Sequence, residues 1–296
     1  MKNVFRPNIH DLEAGRLGEF TLPGDVGLSY FAYRPRAARP QQPPLVFVHG
    51  YARRAEEHAL ALLPLCERLG CTLLAPHFSR EDHPRYQRLG RGRDGQRADR
   101  LLNLCIEQCL GEAAPPIILA GFSGGAQFAH RYTMAHPERV ERLIAVAAGW
   151  YTLPDSAARY PLGLRTQRTL RGYSLNPERF LSVPASVLVG SEDLGKHNLR
   201  QGADLDRLQG RTRVQRARSW VAHMRLAARE HRMESRVEYI EVPGVGHDFE
   251  DFLARGHLLE LMARIIDDGS AAQGASAAAA AVTQVQLQEA TAHVCA

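Results

Sequence analysis

The stretch Ile117-Ile118-Leu119-Ala120-Gly121-Phe122-Ser123-Gly124-Gly125 sets an unbroken apolar run directly against a serine spaced by glycines. Ile117 to Ala120 is the kind of run that a strand buried on both faces requires. The residues from Gly125 to His136 read as a helix, so the pentapeptide G-x-S-x-G must turn the chain sharply between strand and helix. Side chains on the flanking turns would collide there unless they were glycines, which accounts for Gly121 and Gly125. Such a turn holds the Ser123 hydroxyl above a sheet, at the positive end of a helix whose first amides lack internal partners.

Outward from this point the strand and helix alternation recurs. Upstream lie the apolar run Leu45 to Val48, a helical stretch from Ala55 to Leu69, the run Thr72 to Ala75 stopped by Pro76, and a helix over about Arg97 to Leu110. Downstream follow the strands Leu143 to Ala147 and Ser186 to Val189, a helix over Val214 to His231, the strand Val237 to Val242 and a helix from Phe249 to Ile266. Glu19 to Leu22 and Leu28 to Arg34, separated by the turn signal Pro23-Gly24-Asp25, read as an opening antiparallel hairpin. The rhythm predicts an α/β fold with a mostly parallel, doubly wound sheet. Gly149 to Pro184, rich in Pro, Gly and Tyr, is longer than an ordinary connection and reads as an inserted lid or cap. Residues 1–268 are expected to form one domain. From Gly269 to Ala296 the chain turns to Ala, Ser and Gln and reads as a low-complexity tail, or as an extension of the preceding helix, since Ala is the best helix former.

Composition narrows the function classes. Of 296 residues, 45% are hydrophobic and 23% charged, which fits a globular chain with a sizeable core. The net charge of +5 is carried almost wholly by arginine, since Lys2 and Lys196 are the only lysines. No basic fold motif accompanies that charge, so nucleic acid is not an expected partner, whereas acidic substrates stay open. The five cysteines form no C-x-x-C pair, which argues against a disulfide framework or a zinc site and for a reducing cytoplasm. No apolar run of signal-peptide or membrane-spanning length is present. Gly90 to Gly95 fits G-x-G-x-x-G but follows no apolar strand, so it reads as a loop whose arginines steer an anionic acyl group or keep it solvated. His77 and His83 lack a supporting metal motif, and the arginines 211, 213, 216 and 218 read as an exposed helix face, with Trp220 as a conceivable stacking surface.

A serine hydroxyl is a poor nucleophile at neutral pH and needs a base within hydrogen-bond reach, normally a histidine held by a carboxylate. Both follow downstream: Asp193 in the turn Gly190-Ser191-Glu192-Asp193 and His247 in Gly244-Val245-Gly246-His247, each after a strand. Glu192 is the rival acid, and Asp248 equally suits the cap of the next helix. With the order Ser, Asp, His at the ends of successive strands, the chain resembles the α/β-hydrolase superfamily over nearly all of residues 20 to 268. Its layout is similar to the feruloyl-esterase and polyester-depolymerase group.

The resemblance implies roles residue by residue. Ser123 becomes the nucleophile, His247 the general base and later acid, and Asp193 the group that orients the imidazole. His49-Gly50-Tyr51-Ala52 resembles the family's oxyanion segment, which makes the Tyr51 and Gly124 amides the oxyanion donors, with His49 pinning the loop. Tyr51 in place of a glycine leaves less room there and is itself a candidate substrate contact. Trp150, Tyr151, Tyr160 and Leu162, in the expected lid, are candidates to line the pocket. The resemblance thus implies hydrolysis of a small carboxylic ester through an acyl-enzyme, with no cofactor or metal and no membrane partner. Thioesterase, amidase and acyltransferase chemistry use the same constellation, and a ligand receptor on the same fold is the alternative from another class.

Overall fold

Strands β1 (Leu17–Thr21), β2 (Ser29–Tyr33), β3 (Leu45–Val48), β4 (Leu73–His77), β5 (Ile117–Phe122), β6 (Val140–Val146), β7 (Ala185–Gly190) and β8 (Val237–Val242) form one sheet. Their order is β1-β2-β4-β3-β5-β6-β7-β8. The pairs β1·β2 and β2·β4 are antiparallel, and every pairing from β4 through β8 is parallel. The computed structural model describes residues 9–23, 27–166, 170 and 172–268. Gly24 and Asp25 of the expected hairpin turn, and the tail from Gly269, lie outside the described residues.

Helices α1 (Ala55–Leu69), α2 (Ala98–Leu110), α3 (Gly124–Ala135), α4 (Pro177–Leu181), α5 (Ala203–Gln209), α6 (Arg213–Glu230) and α7 (Phe249–Ala254) join the strands. β3, β5 and β7 are buried at every position, which is why they read as unbroken apolar runs. From β3 the chain crosses outward to β4, then returns to lay β5 on the opposite side of β3. The crevice beyond the carboxyl ends of β3 and β5 is therefore a topological switch point, where open α/β sheets bind ligands.

Several elements differ from their sequence-based expectation. Pro76 does not stop β4; it lies inside it, opposite Tyr30 of β2. On its other side β4 pairs with β3 only at Leu73 and Leu74, so no ladder hydrogen bond to β3 is asked of the proline. The helix expected from Phe249 to Ile266 is interrupted after Ala254: a Cβ on Gly256 would approach the Phe252 carbonyl oxygen to 2.8 Å, and His257 takes a φ of 47°. The described chain divides into two compact units at this break, one ending at Gly256 and one beginning at His257, and within the second a helix spans 258–268. α5 was not anticipated. The Arg-rich face of α6 is also corrected: Arg211 and Arg218 are exposed, whereas Arg213 and Arg216 are fully buried. Trp220 offers no stacking surface, because it is buried against Tyr151 and donates to the Thr152 carbonyl at 2.8 Å.

At the junction of β5 and α3 the backbone has no room for side chains. Ser123 sits at φ 53° and ψ −108°, outside the regions that L residues ordinarily populate. A Cβ on Gly125 would lie 1.8 Å from the Val48 carbonyl oxygen, and one on Gly121 would lie 2.5 Å from the Gly125 carbonyl carbon. Because the Gly125 contact is backbone on backbone, no rotamer change relieves it. Gly125→Ala is predicted to cost at least about 3 kcal/mol, as overpacking against an immovable neighbour does. Urea denaturation of the purified variant checks this, and a loss under about 1 kcal/mol would show that β3 and α3 can move apart.

Candidate functional site

The strained turn projects Ser123 into the crevice, where its Oγ lies 3.0 Å from His247 Nε2. His247 follows β8 in the turn through Gly244, and its Nδ1 lies 2.7 Å from Asp193 Oδ2. The three side chains, distant in sequence, thus form one line of hydrogen bonds in which an imidazole can take up the serine proton while a carboxylate faces the charge that develops. Asp193 is 1% exposed, while Glu192 is exposed and Asp248 caps α7 by accepting from the Asp251 amide at 3.0 Å. Of the three carboxylates weighed from sequence, Asp193 is therefore the one on the imidazole. The ring of Phe122 lies against His247 at 5.3 Å between centroids and 21° between planes, which fixes the ring's tilt.

A second partner of Asp193 was not legible in the sequence. Arg213, the first residue of α6, donates from Nη1 to Asp193 Oδ1 at 3.1 Å and from Nη2 to the His197 carbonyl at 2.9 Å. Thr212 and Gln215 close a reciprocal capping box that holds the helix start in position. Arg216, one turn on, donates to the Gly149 carbonyl at 2.9 Å and to Asp206 at 2.8 Å. Two buried guanidiniums on one helix thus anchor the loops after β6 and β7. The only sequence signal was that arginines 213 and 216 fall on the same helical side as Ala217 and Trp220.

The loop after β3 is equally braced. His49 is buried, contacts the Gly50 carbonyl through Nδ1 at 2.8 Å and accepts from the Phe78 amide at Nε2, 3.0 Å. Burial pushes its pKa down to about 3, so it is a neutral pin for this loop. Tyr86, which sequence reasoning missed, donates its hydroxyl to the His49 carbonyl at 2.8 Å. A Cβ on Gly124 would lie 2.6 Å from that hydroxyl and 3.2 Å from the Tyr51 nitrogen. The Tyr51 and Gly124 backbones therefore converge beside Ser123, and Gly124 opens α3, where amides lack intrahelical partners.

Ser123, His247, Gly50 and Gly124 border a cleft of about 770 Å³. Tyr51 and Trp150 line it, together with Gln127, His58 and the 198–200 segment. Tyr151, Tyr160 and Leu162 do not: Tyr151 is buried against His130 and Trp220, and the Tyr160 hydroxyl donates to the Arg88 carbonyl at 2.8 Å. Among the described residues of 149–184, only Gly149 and Trp150 reach the cleft; Leu153, Leu164 and Phe180 pack into the core. Arg91 and Arg93 of the Gly90 to Gly95 loop also lie off the cleft, whose border carries Arg54, Arg80, Arg88 and Arg200 instead. No group of three or more His, Cys, Asp and Glu suited to a metal ion occurs among the described residues, and no described helix is long and apolar enough to cross a membrane.

Against solved structures the likeness is broad. A poly(aspartic acid) hydrolase from Sphingomonas sp. KT-1 is 25% identical with a TM-score of 0.67, over 80% of this chain and 95% of that one. A poly(3-hydroxybutyrate) depolymerase from Bordetella parapertussis is 26% identical with a TM-score of 0.69, over 87% and 90%. The chain belongs to the α/β-hydrolase superfamily. A ferulic acid esterase, 14% identical with a TM-score of 0.55 over 85% and 97%, shares the superfamily's fold. No protein-family model and no curated protein sequence matches. The likenesses support a hydrolase, with sheet order and antiparallel start as expected of the superfamily.

Two predictions follow from the braces of this site. His58 is buried, stacks on Phe249 at 4.0 Å and meets Phe47 and Phe122 edge-on; burial, then Arg54, pushes its pKa down to about 4 from an ordinary 6.5. A histidine depressed in the folded state contributes stability that is present above pH 6.5 and lost as pH falls toward the folded value. The melting temperature is thus predicted to fall between pH 6.5 and 4, and less steeply in His58→Phe, which keeps the stacking; identical slopes would exclude His58 as a source. Arg213→Met, which leaves Asp193 buried without its cation, is predicted to lose about 3–5 kcal/mol. Adding Asp193→Asn should recover part of that loss, and purely additive losses by chemical denaturation would deny the coupling.

Proposed function

We propose that this chain is a serine hydrolase that cleaves a small carboxylic ester through an acyl-enzyme. The observation that carries the reading is the unbroken line from Ser123 Oγ to His247 Nε2 at 3.0 Å and from His247 Nδ1 to Asp193 Oδ2 at 2.7 Å. In this reading Ser123 Oγ attacks the ester carbonyl as its proton passes to His247 Nε2, and the oxyanion is held by the Tyr51 and Gly124 amides. Collapse breaks the bond to the alcohol, which takes the proton from His247. Water then gives a proton to His247, attacks the acyl carbonyl and frees the acid, returning the proton to Ser123. Asp193 holds the imidazole tautomer throughout, and Arg213 holds Asp193. Tyr51 and Trp150 are the candidate substrate contacts that border the cleft. Four free, buried thiols, Cys66, Cys71, Cys105 and Cys109, agree with a reducing compartment such as the cytoplasm.

The likeness to the depolymerase favours an ester. The likeness to the poly(aspartic acid) hydrolase favours a second reading, amide hydrolysis, because poly(aspartic acid) is joined by amide bonds and the same acyl-enzyme serves both. The test uses p-nitrophenyl butyrate and a matching p-nitroanilide with the wild type and Ser123→Ala, beside fluorophosphonate labelling and peptide mass analysis. Turnover is expected to fall in the variant by a factor on the order of 10⁴ to 10⁶, with the wild-type label on Ser123. A folded wild type that neither labels at Ser123 nor turns over either substrate would overturn the reading in favour of a ligand receptor.

A further inference from the structure

Three cations surround the indole of Trp150, two of them, Arg88 and Arg200, on the border of the cleft and the third, Arg131, buried. The guanidinium carbons of Arg88, Arg131 and Arg200 lie 5.4, 4.2 and 5.2 Å from the centre of the Trp150 ring. Arg131, on α3 two turns beyond Ser123, is 1% exposed and spends its donors on the Thr152 hydroxyl and the Gln87 and Gln127 carbonyls, leaving Nη2 buried without a partner. Arg88 is half-buried, with its Nε unpartnered, and Arg200 is exposed on the 198–200 segment.

None of the three makes an ion pair among the described residues, although the chain pairs arginines with carboxylates at many other places. The charges that Arg88 feels are those of Arg200 and Arg85, and those that Arg131 feels are Arg88 and Arg200, with only the Tyr160 phenol opposing them. Burial, and then this repulsion, pushes Arg131 down to about 9. The indole face offsets part of the repulsion, but cation–π attraction does not neutralise charge. The cleft's carboxylates, Asp248 and Glu250, come from the segment that follows β8, and Asp248 is engaged in capping α7. Arg88 and Arg200 therefore border, beside Trp150, a cavity large enough for a small molecule, with the unpaired Arg131 buried against the same indole.

We propose that Arg88 and Arg200, spaced by Trp150 and backed by Arg131, form a carboxylate subsite, so that the natural substrate is an anionic ester with a carboxylate set apart from the scissile bond. The subsite takes no part in bond making; it orients and retains the substrate while Ser123 reacts, and in this it rests on the hydrolase reading above. Paired guanidiniums suit a carboxylate because their planar donors match its two oxygens.

The experiment compares the wild type with Arg200→Gln and Arg88→Gln/Arg200→Gln on two matched pairs of esters. p-Nitrophenyl hemiadipate against p-nitrophenyl methyl adipate places the carboxylate on the acyl side. 4-Carboxyphenyl butyrate against 4-carboxamidophenyl butyrate places it on the alcohol side. In one pair the ratio of kcat/KM, anionic over neutral, is expected to drop by at least roughly tenfold in the double variant and by a smaller factor in Arg200→Gln. In the wild type that ratio should fall with added salt, and in the double variant it should not. The responding pair identifies the side that carries the charge. Unchanged ratios in both pairs, with the neutral esters turned over, overturn the subsite and leave the hydrolase reading standing. If the wild type turns over no ester, adipate binding to Ser123→Ala by calorimetry decides the subsite independently: binding lost on adding Arg88→Gln/Arg200→Gln supports it, and no binding overturns it.

Discussion

The closest backbone contact in the site is where α3 meets β3, and the rest of the arrangement depends on it. A Cβ on Gly125 would penetrate the Val48 carbonyl oxygen, at 1.8 Å. With that clearance already spent, α3 can begin directly above the end of β3, and the chain reaches it from β5 only by forcing Ser123 to a positive φ. The cost of that strain is met by two flanking strands buried at every position and by a helix locked to both. The reward is geometric: the serine, the start of a helix and the loop after β3 share one corner of the crevice. Tyr86 and Gly124 follow from the same crowding, since the tyrosine hydroxyl occupies the space a side chain at 124 would need.

Around that corner, positions are held by buried charge rather than by apolar packing alone. Arg213 and Arg216 leave water entirely, a loss that hydrogen bonding must offset, and they spend their donors, Arg213 Nε excepted, on Asp193, Asp206 and the carbonyls of Gly149, Gly195, His197 and Gly210. Loops are ordinarily the mobile part of an α/β sheet. Here the two loops that carry the acid and one wall of the cleft are tied to a single capped helix. Asp193 is consequently clasped from both sides, by an imidazole on one oxygen and a guanidinium on the other. The arrangement fixes the carboxylate's plane and, through it, the imidazole tautomer.

Arginines of the same chain thus serve two purposes that composition does not separate. Where a guanidinium meets carbonyls and a carboxylate it is a brace, as at positions 213 and 216. Where it meets an indole and no carboxylate among the described residues, as at positions 88 and 200 beside Trp150, its charge is left unpaired on the border of the cleft. His58, Phe122 and Phe249 add an aromatic cluster to the cleft lining, with Phe47 packed against His58 and Phe249 and with His58 held uncharged by its burial.

The sequence by itself determined the sheet, because strands buried on both faces leave unbroken apolar runs, and it determined the elbow, because backbone in contact with backbone admits only glycine at 121 and 125. It also located Ser123, Asp193 and His247, since each follows a strand in a glycine-marked turn. What it left open depended on groups far apart in the chain. The burial of Arg213 and Arg216 was masked by their charge, which pattern reading assigns to solvent; only the capping box and the loop carbonyls across the fold reverse that. The break after Ala254, the withdrawal of Tyr151 and Tyr160 into the core, and the use of 198–200 as a cleft wall were likewise decided in three dimensions. Local pattern reports how a residue prefers to be buried, whereas which partner meets it there is set by the packing of the whole sheet and its helices.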